Sequence, residues 1–169
     1  MLREVVHTLQ FVWSRTVWVI TFGYFIMAVA VIGLLIAAIA QGAVAAGVIG
    51  LVVALPILIA FALYCEGYSP QRLELSASQI TVLRRYNSIT IPRSTILSIT
   101  PLTRQDMRWT MALGGCGGLY GYFGTFSNRS MGQFTMYATT MENLYLIRTA
   151  DGRKVVISCS EPDLLQKIA

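Results

Sequence analysis

The chain has 169 residues, of which 55% are hydrophobic and only 12% charged, with a net charge of +5. Average soluble domains carry about 25% charged residues, so the composition excludes an ordinary water-soluble protein, and the scattered positive excess forms no basic stripe of the kind that binds nucleic acid. Three widely spaced cysteines and a single histidine, His7, leave no zinc-ligand spacing, no disulfide framework and no imidazole for a nucleophilic triad; neither a metal nor a cofactor is expected.

Residues 1–16 mix Arg3, Glu4, His7 and Arg15 with Val5, Val6, Leu9, Phe11, Val12 and Trp13. This pattern predicts an amphipathic lead-in, lying on a membrane surface or continuous with the helix after it. From Thr16 to Cys65 there is no charged residue at all. A run of that length is enough to cross a bilayer twice at about 20 residues per pass. The first span is predicted at residues 17–40, a turn at Gln41-Gly42, and the second span at 43–64. Ala38-Ile39-Ala40 resembles a signal-peptide cleavage site, but the apolar core before it is about twice the usual 7–15 residues.

If the chain turns back at Gln41-Gly42, Trp13, Trp18, Tyr64 and Tyr68 fall together at one interface, where amphipathic rings prefer to sit. The turn end carries no Lys or Arg, so the charge bias puts both termini and everything after residue 67 on the cytoplasmic side of an inner membrane. Gly33 and Ala37, with Ala46, Gly50 and Ala54, recur at helical spacing and predict close packing of the two spans, or self-association through the same faces. Pro56 predicts a kink in the second span. With no ionisable residue in either span, the hairpin reads as an anchor and not an ion path.

After Pro70 the period changes to two. Strands are predicted at residues 71–75, 80–85, 89–91 (ended by Pro92) and 96–99 (stopped by Pro101). Residues 102–132 break the rhythm with Gly114, Gly115, Gly117, Gly118, Gly121 and Gly124 among Met107, Trp109, Met111, Tyr120, Tyr122 and Phe123. These glycines match neither a phosphate-binding loop nor a dinucleotide fingerprint. The segment is expected to be a long Gly- and aromatic-rich insertion, either contacting a partner or membrane or closing one end of the domain. Strands return at 133–138, 144–149 and 154–158, the last two joined by the hairpin dipeptide Asp151-Gly152. Ser160, Pro162 and Asp163 then open a predicted terminal helix with Leu164, Leu165 and Ile168 as its apolar stripe.

The segment Gly121-Tyr122-Phe123-Gly124, then Gly132-Gln133-Phe134-Thr135-Met136-Tyr137-Ala138-Thr139, Leu144-Tyr145-Leu146-Ile147 and Val155-Val156-Ile157-Ser158, resembles the bacterial pleckstrin-homology (PH) domain families found behind transmembrane hairpins. The resemblance covers residues 68–169. It implies an α+β membrane protein: a two-helix hairpin, then a PH-like seven-stranded antiparallel barrel or sandwich closed by a C-terminal helix. It further implies an interaction or membrane-proximal module without catalysis. Relatives that bind phosphoinositides use basic residues in the first inter-strand loop, which here is Ser76-Ala77-Ser78-Gln79; the absence of a base there argues against phosphoinositide recognition. The contact candidates are Trp109, Tyr120, Tyr122 and Phe123, with Arg84 and Arg85 as the nearest basic pair. For an enzyme, Cys116 is the one residue shaped like a nucleophile, and no histidine lies near it in sequence to activate it. The remaining alternative is an OB-like barrel of the NfeD type, serving as partner of a membrane protease.

Overall fold

The structure, a computed structural model, describes residues 7–161. Two long helices come first. α1 (Arg15–Ala40) starts at Ser14, whose hydroxyl accepts from the Val17 amide at 3.3 Å. α2 (Val44–Tyr68) follows after a turn in which Gly42 has φ 93°, a conformation glycine adopts without penalty. Both helices are long and apolar enough to cross a membrane, and their apolar windows are almost wholly uncovered by protein.

The helices meet where side chains are missing. A Cβ on Gly47 would lie 2.4 Å from Ile39 Cγ1, and one on Gly50 would lie 2.6 Å from Leu35 Cδ2. Gly33, expected at this contact, has nothing within 4 Å of its missing side chain, so α1 contributes large residues and α2 the hollow. The Tyr24 hydroxyl of α1 donates to the Leu58 carbonyl of α2 at 2.5 Å. α2 also runs past its expected end at Tyr64, because its last turn is packed against protein: Cys65 and Gly67 are buried.

The amphipathic lead-in expected at residues 1–16 is described from His7 onward. Its described part forms a strand, β1 (His7–Gln10), paired antiparallel with β2 (Pro70–Leu75), His7 opposite Leu75 and Gln10 opposite Arg72. The pairing continues through the Phe11 amide, which donates to the Gln71 carbonyl at 3.2 Å. It gives β2 a partner on its outer side, and Leu9 and Phe11 pack against the core.

β3 (Gln79–Arg84) and β4 (Ser88–Pro92) complete a four-stranded sheet in the order β1-β2-β3-β4. A 3₁₀ turn at Arg93–Thr95 leads into a second, six-stranded sheet. It consists of β5 (Ile96–Leu102), β6 (Met111–Gly117), β7 (Tyr122–Asn128), β8 (Gly132–Ala138), β9 (Leu144–Thr149) and β10 (Lys154–Ser158), in the order β5-β9-β10-β8-β7-β6. The expected seven-stranded antiparallel barrel is therefore corrected to ten described strands in two sheets that do not close. β8 and β10 are parallel. β5 carries on through Pro101 because it is an edge strand, where a missing N–H costs no ladder bond. Ser160 and Glu161 are the last described residues, so the expected C-terminal helix lies outside them.

The central strands of the six-stranded sheet, β7 to β10, are buried on both faces, while the edge strands β5 and β6 are not. Tyr145 and Ile147 of β9, Val155 and Ile157 of β10, and Phe123 of β7 join Leu73, Leu75, Ile80, Val82 and Ile91 of the first sheet in one core. Leu144, Leu146, Val156, Phe126, Phe134 and Met136 point the other way into a second core, which takes in Val17 from α1. Successive strand residues face opposite sides, so a strand buried on both sides reads as a continuous apolar run, as Leu144-Tyr145-Leu146-Ile147 does. Each fully buried Leu, Ile or Phe is worth about 1.5–3 kcal/mol.

Candidate functional site

The Gly-rich segment is a β-hairpin, not a loop. β6 and β7 pair antiparallel from Met111 opposite Ser127 to Gly117 opposite Tyr122, with a bulge between Ala112 and Gly114. Its tip rests on α1: a Cβ on Gly118 would lie 2.4 Å from Ile20 Cδ1, and the Tyr120 amide donates to Thr21 Oγ1 at 3.1 Å. Ser69 fixes the tip from the other helix, donating to the Tyr120 carbonyl at 2.6 Å. Tyr120, held at φ 59°, stacks edge-on with Trp13 at 5.5 Å. The loop after β8 is tied to the start of α1 as well, by Ser14 N to Thr139 O at 3.0 Å and Thr139 Oγ1 to Val12 O at 2.8 Å. Trp13–Trp18 and Tyr64–Tyr68 contacts lie at this same end of the hairpin, and Tyr64 reaches Phe123 at 6.2 Å. Part of this aromatic set packs on the β-domain.

The six contact candidates do not form one surface. Tyr122 and Phe123 are neighbours on a strand buried on both faces; they are 7% and 2% exposed, one in each core, so neither side chain is presented to a partner. Tyr120 is half-buried at the junction. Trp109 stands alone in being 75% exposed, with the Arg108 guanidinium 5.6 Å from its ring. Arg84 is held between the rings of Tyr68 and Tyr137, at 5.4 and 5.2 Å. Its Nε is buried without a hydrogen-bond partner among the described residues. Arg85 pairs with Glu66 of α2 at 2.6 Å. Both arginines link the first sheet to the end of α2.

What sequence reading missed is the strand on which Trp109 leads. β6 is the last strand of its sheet, so one edge has no neighbour among the described residues. It contains no charge, and every residue but Cys116 is exposed, with Met111 at 69% and Leu113 at 61%. The signal was there in Met111-Ala112-Leu113, which alternates apolar bulk immediately after Trp109. Behind the strand, the segment between β5 and β6 is braced by Asp106: its Oδ2 accepts from the Thr103 amide at 2.8 Å and hydroxyl at 2.6 Å. These bonds, the hydroxyl's first, hold the carboxyl below its ordinary range. Asn128 Nδ2 donates to the Asp106 carbonyl at 2.9 Å and ties the brace to the β7–β8 turn.

A cavity of about 540 Å³ opens beside the start of α1, lined among others by Phe11, Trp13, Arg15, Arg104 and Glu142. Arg104 and Glu142 pair across it at 3.1 Å, in an exposed bridge worth little energetically. No group of three His, Cys, Asp or Glu side chains that could hold a metal occurs among the described residues.

The family model described as bacterial PH domain matches residues 71–168. No curated protein and no solved structure matches the chain. Nothing in these comparisons supports the OB-like alternative, and PH-like domains are generally non-catalytic. The match covers every strand from β2 to β10 and more than half of the chain, so this protein belongs to the bacterial PH domain family, with two long apolar helices placed ahead of the domain.

Proposed function

We propose that this protein is a membrane-anchored, non-enzymatic interaction module whose docking element is the β6 edge. The helices span the inner membrane, with the β-domain held on the cytoplasmic face. Residues 22–40 of α1, below the level at which the hairpin tip grips Thr21, extend about 28 Å at ~1.5 Å per residue, close to the ~30 Å of a bilayer core. The first turns of α1 then lie at headgroup depth beside Gly118 and Tyr120.

The observation that carries the reading is the uncharged edge of β6 with Trp109, Met111 and Leu113 all more than half exposed. Outside the helices and this run, the large exposed apolar residues among the described ones are Val12, Tyr86 and Leu97, each on a separate segment. An edge strand of this kind offers unpaired N–H and C=O groups along with apolar side chains. A segment of a neighbouring membrane protein is the expected occupant.

A photo-crosslinking amino acid at position 113, in intact membranes, tests this. Discrete protein adducts are expected there and not at position 97; lipid adducts alone would replace the protein partner with the bilayer surface. Orientation is checked with Gly42→Cys, which a membrane-impermeant maleimide should label from outside the cell. Failure of that labelling, with labelling of an added cysteine at Ser160, would invert the arrangement.

A further inference from the structure

From residue 107 to residue 141 the chain carries two charges, Arg108 and Arg129. The fold sets them side by side at one end of the β6–β7 ladder, where Met111 lies opposite Ser127. Asn128 and Ser130, the neighbours of Arg129, donate to the Asp106 carbonyl at 2.9 and 3.0 Å, and Asn128 also reaches Thr110 Oγ1 at 3.2 Å. Both arginines are exposed. Neither meets a carboxylate: the ion pairs among the described residues are Arg85–Glu66, Arg104–Glu142 and Arg153–Asp151. Asp106, the acid nearest to Arg108 in sequence, turns its Oδ2 to Thr103 instead.

We propose, resting on the reading of β6 as a docking edge, that its occupant is an extended protein segment in which an apolar run adjoins an acidic residue. The run lies along Met111–Leu113 and against Trp109, and the carboxylate meets Arg108 and Arg129.

The strand itself asks for such an anchor. The bulge between Ala112 and Gly114 interrupts the ladder and confines the regular part of the edge to its Trp109 end. Backbone pairing there is brief, so side chains must supply most of the specificity. Tryptophan beside arginine is the pairing that dominates binding hot spots, and a guanidinium recognises a carboxylate through two parallel N–H bonds. Position along the sheet favours a protein over lipid headgroups. Gly117, Tyr122 and Ala138 share the end of the strands that meets α1, whereas Met111, Asn128 and Gly132 share the other. Met111 is therefore about 20 Å along the strand from Gly117, at ~3.3 Å per residue.

The test uses the full chain in lipid nanodiscs, panned against a display library of random linear peptides. Recovered binders should carry Asp or Glu beside an apolar run. Changing that acid to Lys in a synthetic copy should weaken binding by about tenfold, and by less in high salt. The paired changes Arg108→Glu and Arg129→Glu should turn the selection toward Lys-bearing peptides with the melting temperature unchanged. Arg148→Glu, at an exposed position on β9, should leave the selection as it was. A photo-crosslinking residue at position 113 should attach to the acidic peptides. Binders that attach to position 113 with no acidic preference would overturn this proposal and leave the edge reading standing. Acidic binders that miss position 113, or an absence of binders, would overturn both. Crosslinks formed without peptide, from position 113 to a second copy of this chain or from position 109 to anionic lipid, would overturn it in favour of that occupant.

Discussion

Gly115 and Gly124 face one another across the β6–β7 ladder, at φ 116° and 110°, with no room for a side chain on either. A Cβ on Gly115 would lie 2.1 Å from the Phe123 carbonyl oxygen, and one on Gly124 would lie 2.2 Å from that of Gly114. The obstructing atoms are backbone, so no rotamer change relieves the clash. Gly115→Ala or Gly124→Ala should each destabilise the domain by about 1–3 kcal/mol. Thermal unfolding measures the loss, and proteolysis should cut first between residues 111 and 128. Gly114→Ala, where nothing lies within 4 Å of the missing Cβ, is the control and should be nearly silent.

Removing the Tyr24 hydroxyl should loosen the helix pair. Tyr24→Phe deletes the bond to the Leu58 carbonyl while keeping the ring against Phe61, 5.9 Å away. Interhelical hydrogen bonds in membranes contribute about 0.6 kcal/mol on average and up to ~2. Steric trapping or denaturant unfolding in micelles should show a loss in that range. No loss would mean that the Leu58 carbonyl is satisfied as well without it.

Acid should release the brace behind Trp109. The Asp106 carboxyl titrates below its ordinary value because the Thr103 hydroxyl and amide donate to it. A depressed carboxyl contributes stability that is complete above its unfolded value, near 4, and is lost as pH falls through the lower folded value. The Thr103 amide resonance should therefore shift in that acid window. In Asp106→Asn the acid step should vanish.

A soluble fragment that begins after α2 should fold poorly. It lacks β1, which exposes the outer edge of β2 and uncovers the side that Leu9 and Phe11 occupy. Chromatography should show association through that edge. Fusing residues 7–11 ahead of Pro70 through a short Gly-Ser turn, antiparallel as in the intact chain, should restore a monomer with a higher melting temperature.

Much of this architecture could be read from the residues alone, and the misses share a cause. The helices announce themselves by an uncharged run, and β2–β4 by alternating apolar and polar positions. β1 does not, because His7–Gln10 is short and its partner lies beyond both helices, and no local pattern encodes a pairing that distant. β6 and β7 were hidden by glycine, which has low strand propensity, yet only glycine allows Gly115 and Gly124 to lie so close. Tyr122 and Phe123 looked like contact residues because adjacent aromatics cannot both be buried by a sheet with one wet face; here both faces are covered. The parallel pairing of β8 with β10 depends on the 139–143 connection passing over to β9, which periodicity does not register.

Because β1 precedes the helices and β2 follows them, a ribosome delivers the two halves of this pair some sixty residues apart. In the proposed arrangement the first half waits on the side where the chain starts while the apolar segment enters the bilayer. Only a chain whose second helix has returned to the starting side can bring Pro70–Leu75 alongside His7–Gln10. In that proposed arrangement, closure of the β1–β2 ladder requires the chain to have crossed twice, and a copy that crosses once leaves the β2 edge unpaired.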